Sequence, residues 1–362
     1  DIDRTIMTNM QYQSLRKGNR NMQYKVSIKR KCYLLSVLLM TVWLTGCVQE
    51  EFESTPSPAG NGIRFTLTVP DVNLPSVSSR TMTGTGTAKK EDEIKTVDIL
   101  VFDMSKTPAV FLEWASATGV TQDLADNSTV SFSAVLSPTT ASTCIVVVAN
   151  KELDDIVSGF TKGVTTKVRA MEEMLHTQTG KWLADGSTTG GYTRIPMYGE
   201  KVISKITPSM DPITDINMKR MLARIDIRNN SVTSNFTVEE VYLANYNTTG
   251  YIAPAWNTNG QVTEPAPDTP VLPTGSGKMT EEGNAILYSV NGNTPYDGEI
   301  YTFESLAAGD AGGAGQDGEA SRKDATCLIV KGKIGTGEST FYRVDFTKTG
   351  NTGEQVEYLP LK

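Results

Sequence analysis

From residue 63 the chain alternates. Ile63, Phe65, Leu67 and Val69 are separated by Arg64, Thr66 and Thr68. A period of two places the four apolar residues on one face of a strand and the three polar residues on the other. The segment "TVSFSAVL" (129–136) predicts another apolar strand. Two other runs, "TVDILVF" (96–102) and "TCIVVVAN" (143–150), are apolar almost throughout. Continuous apolar runs of that length predict central strands covered on both faces. Further along, "MKRMLARIDIRNN" sets Met221, Ala223, Ile225 and Ile227 against Leu222, Arg224, Asp226 and Arg228. More strands are predicted at 236–245, 285–290, 299–304, 326–333 and 340–346. Helical spacing occurs in two short places: Leu153, Ile156, Val157 and Phe160, then Val168, Met171, Met174 and Leu175.

The polar stretches between these runs predict the organisation. Residues 48–62 read as a tether. "PDVNLPSVSSRTMTGTGTAKKEDE" follows the first strand as a loop, with Arg80 among small residues. The Pro/Asp-rich stretch 204–216 reads as a linker, and the tracts 253–278 and 307–323 as loops. The expected fold is therefore all-β, with two strand-rich sandwiches meeting near 204–220 and a few short helices in the first. The predicted divisions are a leader at 1–47, a tether with a removable strand at 48–80, an N-terminal sandwich at 81–216 and a C-terminal sandwich at 217–362.

The leader changes the picture of where the chain goes. Met22 is read as the initiator. Lys25, Lys29, Arg30 and Lys31 precede an uncharged run from Cys32 to Gly46. About 20 apolar residues are needed to span a bilayer, so this shorter run predicts the apolar region of a secretory signal. Its end, Leu44-Thr45-Gly46-Cys47, resembles a bacterial lipobox. That resemblance implies a diacylglycerol on the Cys47 thiol, cleavage just before it, handling by the lipoprotein export machinery, and attachment to the outer membrane through the lipid. Val48-Gln49-Glu50-Glu51 resembles the signal that sends lipoproteins of Bacteroidetes-type bacteria to the outer face of that membrane.

The whole chain carries 34 Lys and Arg against 41 Asp and Glu, a formal charge of −7. The leader removes eight of the basic residues and two of the acidic ones, so the remainder stands at −13. An acidic exported body excludes nucleic acid as a partner. Outside the leader only Cys144 and Cys327 remain, each within an apolar run. They are expected to be buried free thiols.

Candidate chemistry is sparse. His176 is the only histidine. It follows the second helical pattern and is expected to be solvated or capping. No catalytic residue, cofactor site or metal site is predicted: one histidine excludes a histidine-rich zinc centre, and no Cys-x-x-Cys occurs. "GSGKM" (275–279) lacks the phosphate-loop pattern, because Leu272 stands where a glycine is needed and Met279 where a hydroxyl is needed. Gly313, Gly315 and Gly318 match a dinucleotide fingerprint in spacing, without the strand before or the helix after. A glycosidase needs only two carboxylates, but no acidic motif stands out.

The ordered set of features resembles the FimA-type fimbrillin family of Bacteroidetes-type bacteria. The supporting pieces are the lipobox, "SSRTMTGTGTAKKEDEIKTVDILVFD", "CIVVVAN", "MLARIDI" and the closing "FYRVDFTKTGNTGEQVEYLPLK". The likeness covers roughly residues 40–362. It implies two transthyretin-like, Greek-key sandwich domains and a structural role in a surface fimbria that supports adhesion. It further implies that an arginine-directed or trypsin-like protease cuts the loop, with Arg80-Thr81 the preferred bond here. The strand bearing Ile63, Phe65, Leu67 and Val69 would then leave, and a strand of a neighbouring fimbrial subunit would fill its groove. Family members usually run on past the "LPL" segment, so the C-terminal sandwich is expected to be truncated at Lys362, without its donor strand. The alternative kept open is an uncleaved surface lipoprotein that binds glycans.

Overall fold

The structure, a computed structural model, describes residues 63–68, 91–122, 129–183, 193–227, 229, 235–275, 284–289, 296–308, 324–347 and 358–362. Its strands in the first part are β1 (Ile63–Thr68), β2 (Val97–Asp103), β3 (Val110–Ser116), β4 (Thr118–Gln122), β5 (Thr129–Ala134), β6 (Thr143–Ala149), β7 (Leu175–Thr177), β8 (Met197–Ile203) and β9 (Ile213–Asn217). The remainder are β10 (Lys219–Arg220), β11 (Leu222–Ile227), β12 (Phe236–Ala244), β13 (Thr249–Tyr251), β14 (Ile286–Ser289), β15 (Tyr296–Phe303), β16 (Cys327–Ile334) and β17 (Thr340–Val344). Two short helices, α1 (Asp154–Val157) and α2 (Lys167–Glu173), lie between β6 and β7. The fold is all-β.

Two sheets form a sandwich in the first part. One has the strand order β4-β5-β1-β9, the other β10-β8-β6-β2-β3. Between them pack Ile63, Phe65 and Leu67 of β1, Ile99 and Val101 of β2, Phe132 of β5, Ile145 and Val147 of β6, and Ile213 and Ile216 of β9. The alternate residues of β2 and β6 face the other way. Leu100, Phe102, Val146 and Val148 belong to a second core with Ala170 and Met171 of α2. Burial on both faces is why β2 and β6 read as nearly continuous apolar runs, and the two strands pair at the centre of their sheet, as expected.

Helix α2 starts where Thr166 caps it. The Thr166 side chain accepts from the Arg169 backbone N–H at 3.2 Å. The helix stops at Glu173, and the next residues form β7, which pairs with β13. His176 is thereby carried onto a strand. It is half-buried, with its ring centroid 5.1 Å from that of Trp182 and 6.4 Å from that of Phe303. The expectation of a solvated or capping histidine is corrected: the helical spacing ran on to Leu175, two residues past the end of the helix at Glu173.

In the second part, β11 pairs with β15, and a four-stranded sheet has the order β14-β12-β16-β17. A third core joins them through Ile225, Val241, Leu243, Tyr288, Ile300 and Leu328. The second core draws on residues from both sides of 204–216, including Met221, Ile252, Tyr301 and Phe303. Strand β17 is an edge strand whose five residues are all exposed.

The stretch 204–216 was expected as a linker, yet β9 occupies its end. Its apolar residues, Ile213 and Ile216, are three apart because the pairing with β1 shifts register between Phe65 and Leu67. Asp215 adopts φ 59° at that irregularity. An extra residue in a strand breaks the two-residue period by which strands are read. Gly199 on β8 allows the close approach of this corner. A Cβ there would lie 2.7 Å from Met218 Sδ and 2.8 Å from Ile216 Cγ2.

Candidate functional site: the slot of the first strand

Strand β1 is not an edge. Its antiparallel neighbour is β5, with Ile63 opposite Ala134, Phe65 opposite Phe132 and Leu67 opposite Val130. Its other neighbour is β9, which runs parallel, with Phe65 opposite Ile213 and Leu67 opposite Ile216. At its end the Met218 N–H donates to Thr68 O at 2.9 Å. A single six-residue segment therefore satisfies the backbone of two other strands.

The three inward side chains are deeply buried: Ile63 is 5 %, Phe65 1 % and Leu67 0 % exposed. Phe65 stacks on Phe132, with ring centroids 5.0 Å apart and planes 7° from parallel. Arg64 and Thr68 are exposed on the outer face. The predicted core face is thus assembled as the alternation dictated. Val69 of that face lies outside the described residues, as do Cys47, Arg80 and Thr81.

The next described residue after β1 is Glu91, which is held by side chains from far along the chain. Glu91 is 5 % exposed. Arg224 Nη1 donates to both of its carboxylate oxygens at 3.0 Å. The Tyr301 hydroxyl donates to Glu91 Oε1 at 2.6 Å, and Arg220 Nε donates to the Glu91 carbonyl at 3.1 Å. Burial and the adjoining carboxylate push the Tyr301 hydroxyl far above its ordinary pKa. This cluster joins the residue entering β2 to β11 and β15. Sequence reading missed it, because nothing local marks Glu91 among neighbouring acidic residues.

Other polar groups with shifted titration have structural partners. Asp98 accepts from Ser116 Oγ at 2.7 Å, Trp114 Nε1 at 3.1 Å and the Leu153 N–H at 3.3 Å. Burial raises its pKa despite those bonds. Lys167 is 1 % exposed and its Nζ lies 2.6 Å from Glu200 Oε2. Cys144 and Cys327 are buried and form no disulfide, as expected. Burial pushes the Cys144 thiol up to about 12, which leaves it un-ionised at neutral pH.

A second opening lies in the other half, between β11 and the sheet that ends in β17. It is a cavity of about 730 Å³ lined by Ile225, Ile227, Val330, Tyr342 and Val344 among others.

Strand β1 is thus a buried central strand of its sheet, paired on both edges by β5 and β9. The sequence matches the model of the major fimbrial subunit protein (FimA) family over residues 63–321, well over half of the chain, and the chain belongs to that family. It is a family of structural subunits of cell-surface fimbriae, not of enzymes, and its members assemble with other fimbrial subunits. Among solved structures, the chain is similar to the tip fimbrial protein Mfa3 from Porphyromonas gingivalis with C-terminal truncation. The identity is 14 %, the alignment covers 82 % of this chain and 90 % of that one, and the TM-score is 0.45. A fimbrial assembly protein from Parabacteroides distasonis aligns at 12 % identity over 78 % of this chain and 85 % of that one, with a TM-score of 0.36. No curated protein matches the sequence.

Proposed function

We propose that the protein is a fimbrial subunit exported as a lipoprotein on Cys47 and switched to assembly by cleavage at Arg80-Thr81. The cut lets β1 depart, and a strand from a neighbouring subunit takes its place. We also read 81–216 and 217–362 as two sandwich domains joined through β10 and the second core, with the removable strand belonging to the first.

The observation that carries this reading is the position of β1 between β5 and β9. Removing a central strand opens two rows of backbone donors and acceptors, which form a strong template for pairing. It also empties three buried slots. At about 1.5–3 kcal/mol for each apolar side chain, refilling them returns roughly 5–9 kcal/mol before ordering costs. The uncut strand holds its own slot at high effective concentration, so it blocks early assembly. Arg64 is a poor cleavage point, because its backbone sits in the ladder opposite Ser133 and must unfold locally to enter a protease.

The test is the N-terminal residue of the protein recovered from the cell surface. Thr81 in assembled fibres supports the reading. Lipidated Cys47 in assembled fibres defeats it, and lipidated Cys47 in monomers alone points to an uncleaved surface lipoprotein.

A further inference from the structure

We infer that the β1 slot is selective for an aromatic residue at the middle inward position of the incoming strand, and that its occupant is an extended segment of a second fimbrial subunit carrying an apolar-x-aromatic-x-apolar pattern. This rests on the strand-exchange reading above and adds the partner's chemistry to it.

The three slots differ. The first inward residue of β1, Ile63, lies opposite Ala134, and the third, Leu67, opposite Val130. Aliphatic walls of that kind accept any apolar side chain of similar volume with small loss. The middle slot has an aromatic wall. Phe132 is 3 % exposed and lies flat against Phe65, the rings 7° from parallel with centroids 5.0 Å apart. A flat ring offers its full area to another ring, and stacked aromatic pairs gain beyond their area burial. A leucine there leaves part of the Phe132 face without partner atoms, and such a gap forfeits dispersion contacts outright.

The register is fixed independently of the rings. Between Phe65 and Leu67 of β1, the partner β9 advances from Ile213 to Ile216, with Asp215 in the left-handed region. That extra residue fits one alignment of the inserted strand. A slip of one residue would turn every inward side chain outward. The middle residue of the incoming strand is therefore delivered opposite Phe132 on β5, with Ile213 of β9 on its other side. The outer face of the slot makes no comparable demand, since Arg64 and Thr68 are exposed.

The test uses the full chain with a site-specific protease sequence replacing residues 78–83, folded and then cut. Fluorescent peptides are added: residues 63–69 as they stand, and versions with leucine, tryptophan or alanine at position 65. The native peptide is expected to bind, with Trp close to Phe and Leu about tenfold weaker. In the Phe132→Leu chain the preference of Phe over Leu should vanish, which separates ring pairing from simple volume. Equal affinity of the Phe and Leu peptides in the unaltered chain overturns the aromatic selectivity and leaves strand exchange standing. A cut chain that keeps its own strand and binds no peptide overturns the strand-exchange reading itself, and the selectivity with it.

Discussion

Arg224 and Glu91 lie 133 residues apart in sequence, and one guanidinium nitrogen of Arg224 donates to both Glu91 oxygens at 3.0 Å. Glu91 is almost fully buried while the Arg224 side chain is a third exposed. Removing the carboxylate leaves Arg224 and the Tyr301 hydroxyl without their shared acceptor. Breaking such a buried pair costs about 3–5 kcal/mol, and water at the exposed side of Arg224 reduces that. Glu91→Ala is therefore expected to lower stability by about 2–3 kcal/mol, read as a shift of the urea midpoint with an unchanged slope. A double variant with Arg224→Met should recover part of the loss.

Phe65 reports on the uncut subunit. It is 1 % exposed and stacked on Phe132. Phe65→Ala should cost roughly 3–5 kcal/mol if β1 shares one cooperative transition with the sandwich. Limited proteolysis of the same variant should show faster cutting at Arg64, since opening of β1 now needs less free energy. Thr66→Ala, on the outer face, should change either readout little.

Two groups near Phe303 titrate in opposite senses. Burial, with Lys151 adding to it, lowers the His176 pKa below 6.5, and Gln178 opposes this. The unfolded chain then binds the proton more readily, so this contribution to stability is lost as pH falls below about 6.5. Burial raises Glu304 to about 7, with Lys362 opposing. Here the folded state binds the proton more readily, so its contribution is complete below about 4.5 and is lost as pH rises through about 7. Between about pH 4.5 and 6.5 the two contributions run in opposite directions. His176→Gln should make stability fall with rising pH across that window, and Glu304→Gln should make it rise. Urea titrations at half-unit pH steps read both slopes.

Processing and anchoring have separate signatures. Arg80→Ala is expected to leave a folded, lipidated monomer at the cell surface, with no fibres under electron microscopy. Cys47→Ser should abolish incorporation of labelled fatty acid. Normal fibres whose subunits still carry residues 48–80 would contradict the first expectation, and labelled Cys47→Ser protein would contradict the second.

The sequence disclosed what repeats locally. The alternation of Ile63, Phe65 and Leu67 placed a strand and its core face correctly, and the nearly continuous apolar runs of β2 and β6 marked central strands. It did not disclose what depends on pairing. The bulge at Asp215 hid β9 by spacing Ile213 and Ile216 three apart. Strand β8 begins at Met197 within a stretch whose apolar and polar residues follow no clean period. Glu91 looks like any solvated acid until Arg224 and Tyr301 arrive from far along the chain. His176 misled because a helical spacing continued after the helix had ended.

Strand β1 is made early and completed late. Phe65 meets Phe132 only after the intervening strands exist, and meets Ile213 about 150 residues further on. Contacts between such distant residues form after local ones, because the loops between them must close first. Filling the slot is the kind of long-range closure that topology places late in folding. Fibre growth would then repeat the last step of folding with material supplied by another molecule, and a step that is first order inside one chain becomes dependent on subunit concentration. Crowding of subunits on the surface would set the rate of elongation, while each cut subunit alone would remain a nearly finished fold waiting for its closing strand.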